Sequence, residues 1–450
     1  MADPLAEAIA ELEAVPAGVT WDDVTARTAS TPLRPEPDRP AGHRTARRWA
    51  LAVAAVVVAL IGAGVWSASD DGTDLDTTDT TAPGPSPFAE WAPGWTTIDV
   101  GPVPHLGSAA LAWIDDSLVV AGGVAGDGAT QARAFRFRPA DRTWTELPVP
   151  PFSPTALVAA GDVLVAVGEV DPSQSLPSEA HQWATLRVGD GGWRSHGLAF
   201  SAPALVAAGA ANTGGGRAAL VWTGQRVIDV AHGTVLDPAT GTADMLPMPD
   251  DVVPYSHLLY ANPVWTGRQV VLVGWSDRPG LAWDAIGSEW TDVPAPITPA
   301  ERPAVVGSSA AVVTGDGRIV LVSGGTINDE TGWSGGGVAA AFDDATGRWE
   351  RLPHIPAPAT TNCPYRLVAV AGQPVVIPCD GWDGTGEPLR LTPDDGWTSI
   401  GPIPGLPARW AGSLLGTEEA LFVWTTSTDT TNDPDAPYTA GAAWIPTDPG

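Results

Sequence analysis

The sequence predicts an all-β fold, a seven-bladed β-propeller of four-stranded antiparallel blades, preceded by one transmembrane helix. Three observations predict it. A unit of about 50 residues recurs across 91–450, and repeats of this period build closed arrays. The chain carries 51 Gly and 45 Pro between short apolar runs, the texture of strands broken by many turns. One uncharged apolar run, 49–66, stands alone ahead of the repeats.

Residues 1–48 read as a cytoplasmic arm, largely disordered. Leu5, Ile9 and Leu12 fall at helical spacing, but so short a helix is unstable alone. Residues 49–66 read WALAVAAVVVALIGAGVW. At 1.5 Å rise this run spans about 27 Å, near the hydrocarbon thickness of a bilayer. Trp49 and Trp66 stand at its ends, where indoles favour the interface. Arg34, Arg39, Arg44, Arg47 and Arg48 precede it; Asp70, Asp71, Asp74, Asp76 and Asp79 follow. The positive-inside rule then puts the N-terminus in the cytoplasm and the repeats outside, a single-pass protein of the cell membrane. Ser67-Ala68-Ser69 offers the competing reading of a cleaved signal, although a 48-residue arm is long for one. Residues 67–90, rich in Asp, Thr and Pro, read as a disordered linker.

The propeller occupies 91–450. Trp95, Trp144, Trp193, Trp290, Trp349 and Trp397 each mark an outermost strand. The gap from Trp193 to Trp290 is double length. Its middle holds Asp237-Pro238-Ala239-Thr240-Gly241 and Met245-Leu246-Pro247, a seventh copy without the Trp. Second strands give the same count: 118–123, 163–168, 226–231, 269–274, 318–325, 374–379 and 420–425. A propeller blade cannot bury both faces alone, and stacking in a ring buries them mutually.

The strand-ending pairs Gly122-Gly123 and Gly324-Gly325, with the turns 138–144 and 342–349 that each end in Trp, carry a resemblance. The repeat resembles the kelch repeat of galactose-oxidase-like propellers. The resemblance implies the fold and no particular activity, since propellers host unrelated functions. Five blades lack the double glycine.

The chain ends after three strands of the last blade, while Trp95–Val100 has no blade of its own. That strand is expected to complete the last blade and close the ring. Cys363 and Cys379 flank a hairpin turning near Ala371-Gly372 and are expected to form a disulfide in an oxidising compartment.

The net charge of −29 excludes nucleic acid as a partner, because cations are needed to displace phosphate counterions. All 23 basic residues are Arg. His105, Tyr255, His257, Arg302, Tyr365, Arg366, Arg409 and Trp410 are candidates for a ligand site at the channel mouth, on the face with the long second-to-third-strand loops. The acidic loop 380–387 lacks EF-hand spacing. No G-x-S-x-G elbow, sialidase-type Asp box or copper-site set is present, so no catalytic residue, metal or cofactor is assigned. With seven His in the chain, a His-based metal site is not expected.

The sequence therefore points to a monomeric binding or scaffolding module for a protein, glycan or cell-wall ligand. Two alternatives stay open: an enzyme acting on saccharide at the channel mouth, and a sensor signalling through the cytoplasmic arm.

Overall fold

The architecture was read from a computed structural model. It describes residues 86–104, 106–124, 131–169, 180–200, 220–230, 232–247, 263–274, 279–284, 289–296, 309–323, 326–329, 332–335, 337–356, 365–377, 387–405, 412–427 and 438–447. The expected span 49–66 lies outside these residues, and no described helix is long and apolar enough to cross a membrane.

Seven four-stranded antiparallel sheets follow one another along the chain. Blade 1 comprises Leu106–Ile114, Ser117–Val124, Gln131–Arg138 and Thr143–Glu146. Blade 2 comprises Ala156–Ala160, Val163–Glu169, Ala180–Arg187 and Arg194–Phe200. Blade 3 comprises Leu220–Trp222, Val227–Asp229, Thr234–Asp237 and Thr242–Met245. Blade 4 comprises Val264–Trp265, Gln269–Leu272, Gly280–Asp284 and Glu289–Val293. Blade 5 comprises Ser309–Val313, Ile319–Ser323, Val338–Asp343 and Arg348–Arg351. Blade 6 comprises Arg366–Val370, Gln373–Ile377, Leu389–Thr392 and Gly396–Ser399.

Blade 7 takes Gly412–Gly416, Leu421–Ser427 and Tyr438–Ile445 from the end of the repeats. Its fourth strand is Gly94–Ile98, from their beginning. The register runs from Gly94 opposite Ile445 to Ile98 opposite Gly441. The expected closure is thus formed. The innermost strands touch in cyclic order, blade 7 against blade 1 included, so the ring is complete.

The core is seven cores, one per seam. Successive residues of a strand point to opposite faces, and here each face meets a different neighbour. Leu118 and Val120 enter the seam of blades 7 and 1, while Val119 and Ala121 enter that of blades 1 and 2. Ile319 and Leu321 likewise face blade 4, and Val320 and Val322 face blade 6. Burial on both sides explains why second strands are continuous apolar runs rather than alternating ones.

The outer-strand Trp residues join the blades. Trp144 packs on Phe137 of its own blade at 4.9 Å between ring centroids, and Trp349 on Phe342 at 5.1 Å. Each indole N–H then donates to a carbonyl just past the outer strand of the preceding blade. Trp144 reaches Asp99 at 2.7 Å, Trp193 reaches Pro148 at 2.8 Å, and Trp349 reaches Pro294 at 2.7 Å. Trp397 reaches Pro353 at 2.9 Å, and Trp290 bonds to Pro247. Blade 3 has no such residue. Ala243, opposite Leu236, holds the register position that Trp349 holds opposite Phe342.

Turn chemistry follows the sequence. Asp343 accepts from the backbone N–H of Ala345 at 2.9 Å, and Asp237 from that of Ala239 at 2.9 Å. Ala371-Gly372 forms the two-residue turn of blade 6 with φ of 50° and 69°, the left-handed pair such hairpins require. Cys363 and Cys379 lie outside the described residues.

One boundary differs from the sequence reading. The linker was expected to run to residue 90, but Phe88 is 4% exposed and belongs to the core. It stacks on Trp113 at 5.7 Å and meets Trp91 edge-on at 5.8 Å. Ser, Pro and Glu around Phe88 disguise one aromatic anchor as linker.

Candidate functional site

The two faces of the ring differ. First-to-second and third-to-fourth connections span two to six residues. On the opposite face, second-to-third connections span four to fourteen residues and blade-to-blade connections seven to nineteen. Blade 5 inserts a further hairpin there, Thr326–Asp329 paired with Gly332–Gly335. The chain enters at the short-turn face. Ser86 Oγ donates to Glu419 in a blade 7 turn at 2.6 Å, at the rim of a cavity of about 630 Å³. That cavity lies among the inner turns of blades 1, 5, 6 and 7.

Of the residues expected at the channel mouth, His105, Tyr255, His257, Arg302, Arg409 and Trp410 lie outside the described residues. The other two are engaged in packing. Tyr365 is 3% exposed in the seam of blades 5 and 6, where burial pushes its hydroxyl up to about 12. Its ring fills the space where a side chain on Gly337 would stand. Tyr365 is thus a core residue rather than a ligand-facing one. Arg366 donates to the carbonyl of Gly412, tying the innermost strand of blade 6 to that of blade 7.

The described residues bring together a different group, His181, Asp229 and His232, at the seam of blades 2 and 3. His181 is the second residue of the third strand of blade 2, opposite Glu169 and Ala199. Asp229 ends the second strand of blade 3, opposite Thr234. The four-residue turn that follows is closed by Gly233 N–H to Val230 O at 3.2 Å, with Gly233 at φ 64°. This turn folds His232 back over Asp229.

The carboxylate is then enclosed. It accepts the backbone N–H of His232 at 3.2 Å and approaches His232 Nδ1 at 2.7 Å. A carboxylate only accepts, so Nδ1 of His232 carries the proton. His181 Nε2 lies 3.8 Å from the same oxygen and 3.4 Å from Thr234 Oγ1. The two imidazoles stack with centroids 4.1 Å apart and planes 20° from parallel. His181 and Asp229 are 1% and 0% exposed, while the side chain of His232 keeps 21%. Burial holds the His181 imidazole down at about 4, against the pull of Asp229 and with the push of His232. It is a neutral ring at neutral pH. Its Nδ1 is buried without a hydrogen-bond partner among the described residues.

Sequence reasoning missed this group, because His181 stands 48 residues before Asp229 and in another blade. The local signal was Asp229-Val230-Ala231-His232 at a strand end.

No family model matches the chain, and no curated protein does. Among solved structures it is similar to the β-propeller domain of the Trilobed protease from Pyrococcus furiosus, a propeller of open velcro topology. That match has 9% identity and a TM-score of 0.43, over 75% of this chain and 95% of that one. The tricorn protease matches with 12% identity and a TM-score of 0.25, over 74% of this chain and 29% of that one. At such scores the fold rests on the chain's own strand pairing.

Proposed function

We propose that this chain is a membrane-anchored, extracytoplasmic β-propeller that binds or scaffolds a protein, glycan or cell-wall ligand through its long-loop face. The observation that carries the reading is the difference between the faces. All short turns gather where the chain enters, and the long connections and the blade 5 hairpin gather opposite. Loops held on a rigid scaffold are where recognition is usually built. The kelch-like character of the repeat belongs to the same reading.

The test is retention of the detergent-solubilised full chain on isolated cell walls and on a glycan array. Replacing 326–335 by a short turn should abolish or weaken retention, while changing the short turn 393–395 should not. Equal retention by both variants would remove the long-loop face from the mechanism.

A further inference from the structure

We propose that His181, Asp229 and His232 form a binding site for a divalent transition-metal ion that clamps blade 2 to blade 3. Two imidazole nitrogens and one carboxylate oxygen lie within 4.8 Å of one another, contributed from both sides of one seam. Ligands around a tetrahedral ion at 2.0–2.2 Å stand about 3.4 Å apart. The 3.8 Å gap from His181 to Asp229 would close slightly and the 2.7 Å contact from His232 would open. The donor chemistry chooses the ion. Two nitrogen donors suit Zn²⁺, Ni²⁺, Co²⁺ or Cu²⁺, whereas Ca²⁺ and Mg²⁺ take oxygen cages. Thr234 Oγ1, 3.4 Å from His181 Nε2, stands beside the ligand nitrogen, where it could hold a water on the ion.

Three further observations converge on the same place. Asp229 is fully buried, and a buried carboxylate costs several kcal/mol unless a cation compensates it. Among the described residues the basic groups that face it are the two imidazoles, and that of His181 is neutral. His181 is 1% exposed and brings Nε2 to 3.8 Å from the carboxylate, while its Nδ1 has no partner among the described residues. Blade 3 is also the blade whose Trp position is Ala243, so its seam with blade 2 lacks the indole-to-carbonyl tie. A metal bridge would supply the missing tie from the opposite end of the blades.

The stacking sets a condition. Rings 20° from parallel cannot both aim a lone pair at one ion. One ring must turn, and His232 is the one with room, being on a turn and partly exposed.

The full-length chain, stripped with chelator, is dialysed against low-micromolar Zn²⁺ or Co²⁺ and its bound metal is measured. Wild type should hold one equivalent more than His181→Gln, Asp229→Asn or His232→Gln. Loss of an outer-shell partner alone costs about 10–100-fold in affinity, so loss of a direct ligand should cost at least that. His354→Gln, an exposed histidine outside the cluster, should bind like wild type. Co²⁺ should give visible ligand-field bands that vanish in His232→Gln, and Zn²⁺ should raise the melting temperature of wild type and not of that variant. If the buried variants fail to fold, His232→Gln decides. Equal binding by wild type and His232→Gln, or no binding by wild type, overturns the site.

Discussion

The indole N–H of Trp95 donates to the carbonyl oxygen of Ile400 at 2.9 Å. Trp95 stands near the start of the propeller and Ile400 just past the outer strand of blade 6. This is the same bond that Trp397 makes to Pro353 one blade earlier. The N-terminal strand therefore serves blade 7 as a true fourth strand.

Trp95→Ala should destabilise the whole ring by about 2–4 kcal/mol, the range for losing a large ring from a partly buried site. Chemical denaturation should show one cooperative transition at a lower midpoint, matched by Trp349→Ala. A midpoint equal to the parent's would refute closure as a source of stability.

Phe88→Ala should cost about 3–5 kcal/mol. Phe88 contacts Trp91, Trp113 and Phe422, whereas a linker residue would contribute nothing. The same denaturation series checks it, with exposed Glu90→Ala as the neutral comparison.

Acid should loosen the Asp turns. The Thr346 hydroxyl holds the Asp343 carboxyl below its ordinary value of 3.8, aided by backbone N–H groups of Ala345 and Thr346. Thr143 does the same for Asp141. A carboxylate depressed on folding adds stability that is complete above its unfolded value and lost as pH falls through the folded one. Melting temperature should therefore fall below about pH 4. Asp343→Asn should melt lower at neutral pH and lose less between pH 5 and pH 2.5; parallel profiles would exclude Asp343.

The blade 6 hairpin pairs Arg366 with Ile377 around Ala371-Gly372; in the sequence Cys363 stands three residues before Arg366 and Cys379 two after Ile377. We expect the two to be bonded, stabilising by about 3 kcal/mol through loop closure. Thiol labelling of unfolded, unreduced protein from the native envelope should find none free. Two labelled cysteines would exclude the bond.

Topology can be checked on spheroplasts. External protease should degrade 84–450 and spare residues 1–48, by the switch from Arg to Asp across 49–66. Protection of the propeller would reverse the orientation.

The fold was legible because each blade repeats its own instructions. Asp343 and Gly347 shape a turn and Trp349 follows; blade 1 keeps the same spacing, with Arg142 at the left-handed position of Gly347 and Trp144 at that of Trp349. Blade 3 was countable without its Trp because Asp237 and Gly241 keep the turn. The His181 group was not legible, because seam neighbours are set by how blades stack and not by spacing along the chain. Tyr365 misled for a related reason. An aromatic beside an expected loop reads as a recognition residue, until Gly337 of the preceding blade is found vacating space for it.

Because Gly94–Ile98 pairs with Gly441–Ile445, the strand synthesised first must wait for the one made more than 340 residues later. At 5–20 residues per second that delay is roughly 20–70 s. Throughout it, Trp95 and Ile98 have no sheet to join, and the inner strand of blade 1 lacks its blade 7 neighbour. Each seam of stacked blades can assemble as its residues emerge, but the circle can be sealed only once Gly441–Ile445 has emerged. Biogenesis therefore has a vulnerable interval that the finished molecule does not show, during which an open apolar flank must be kept from other chains.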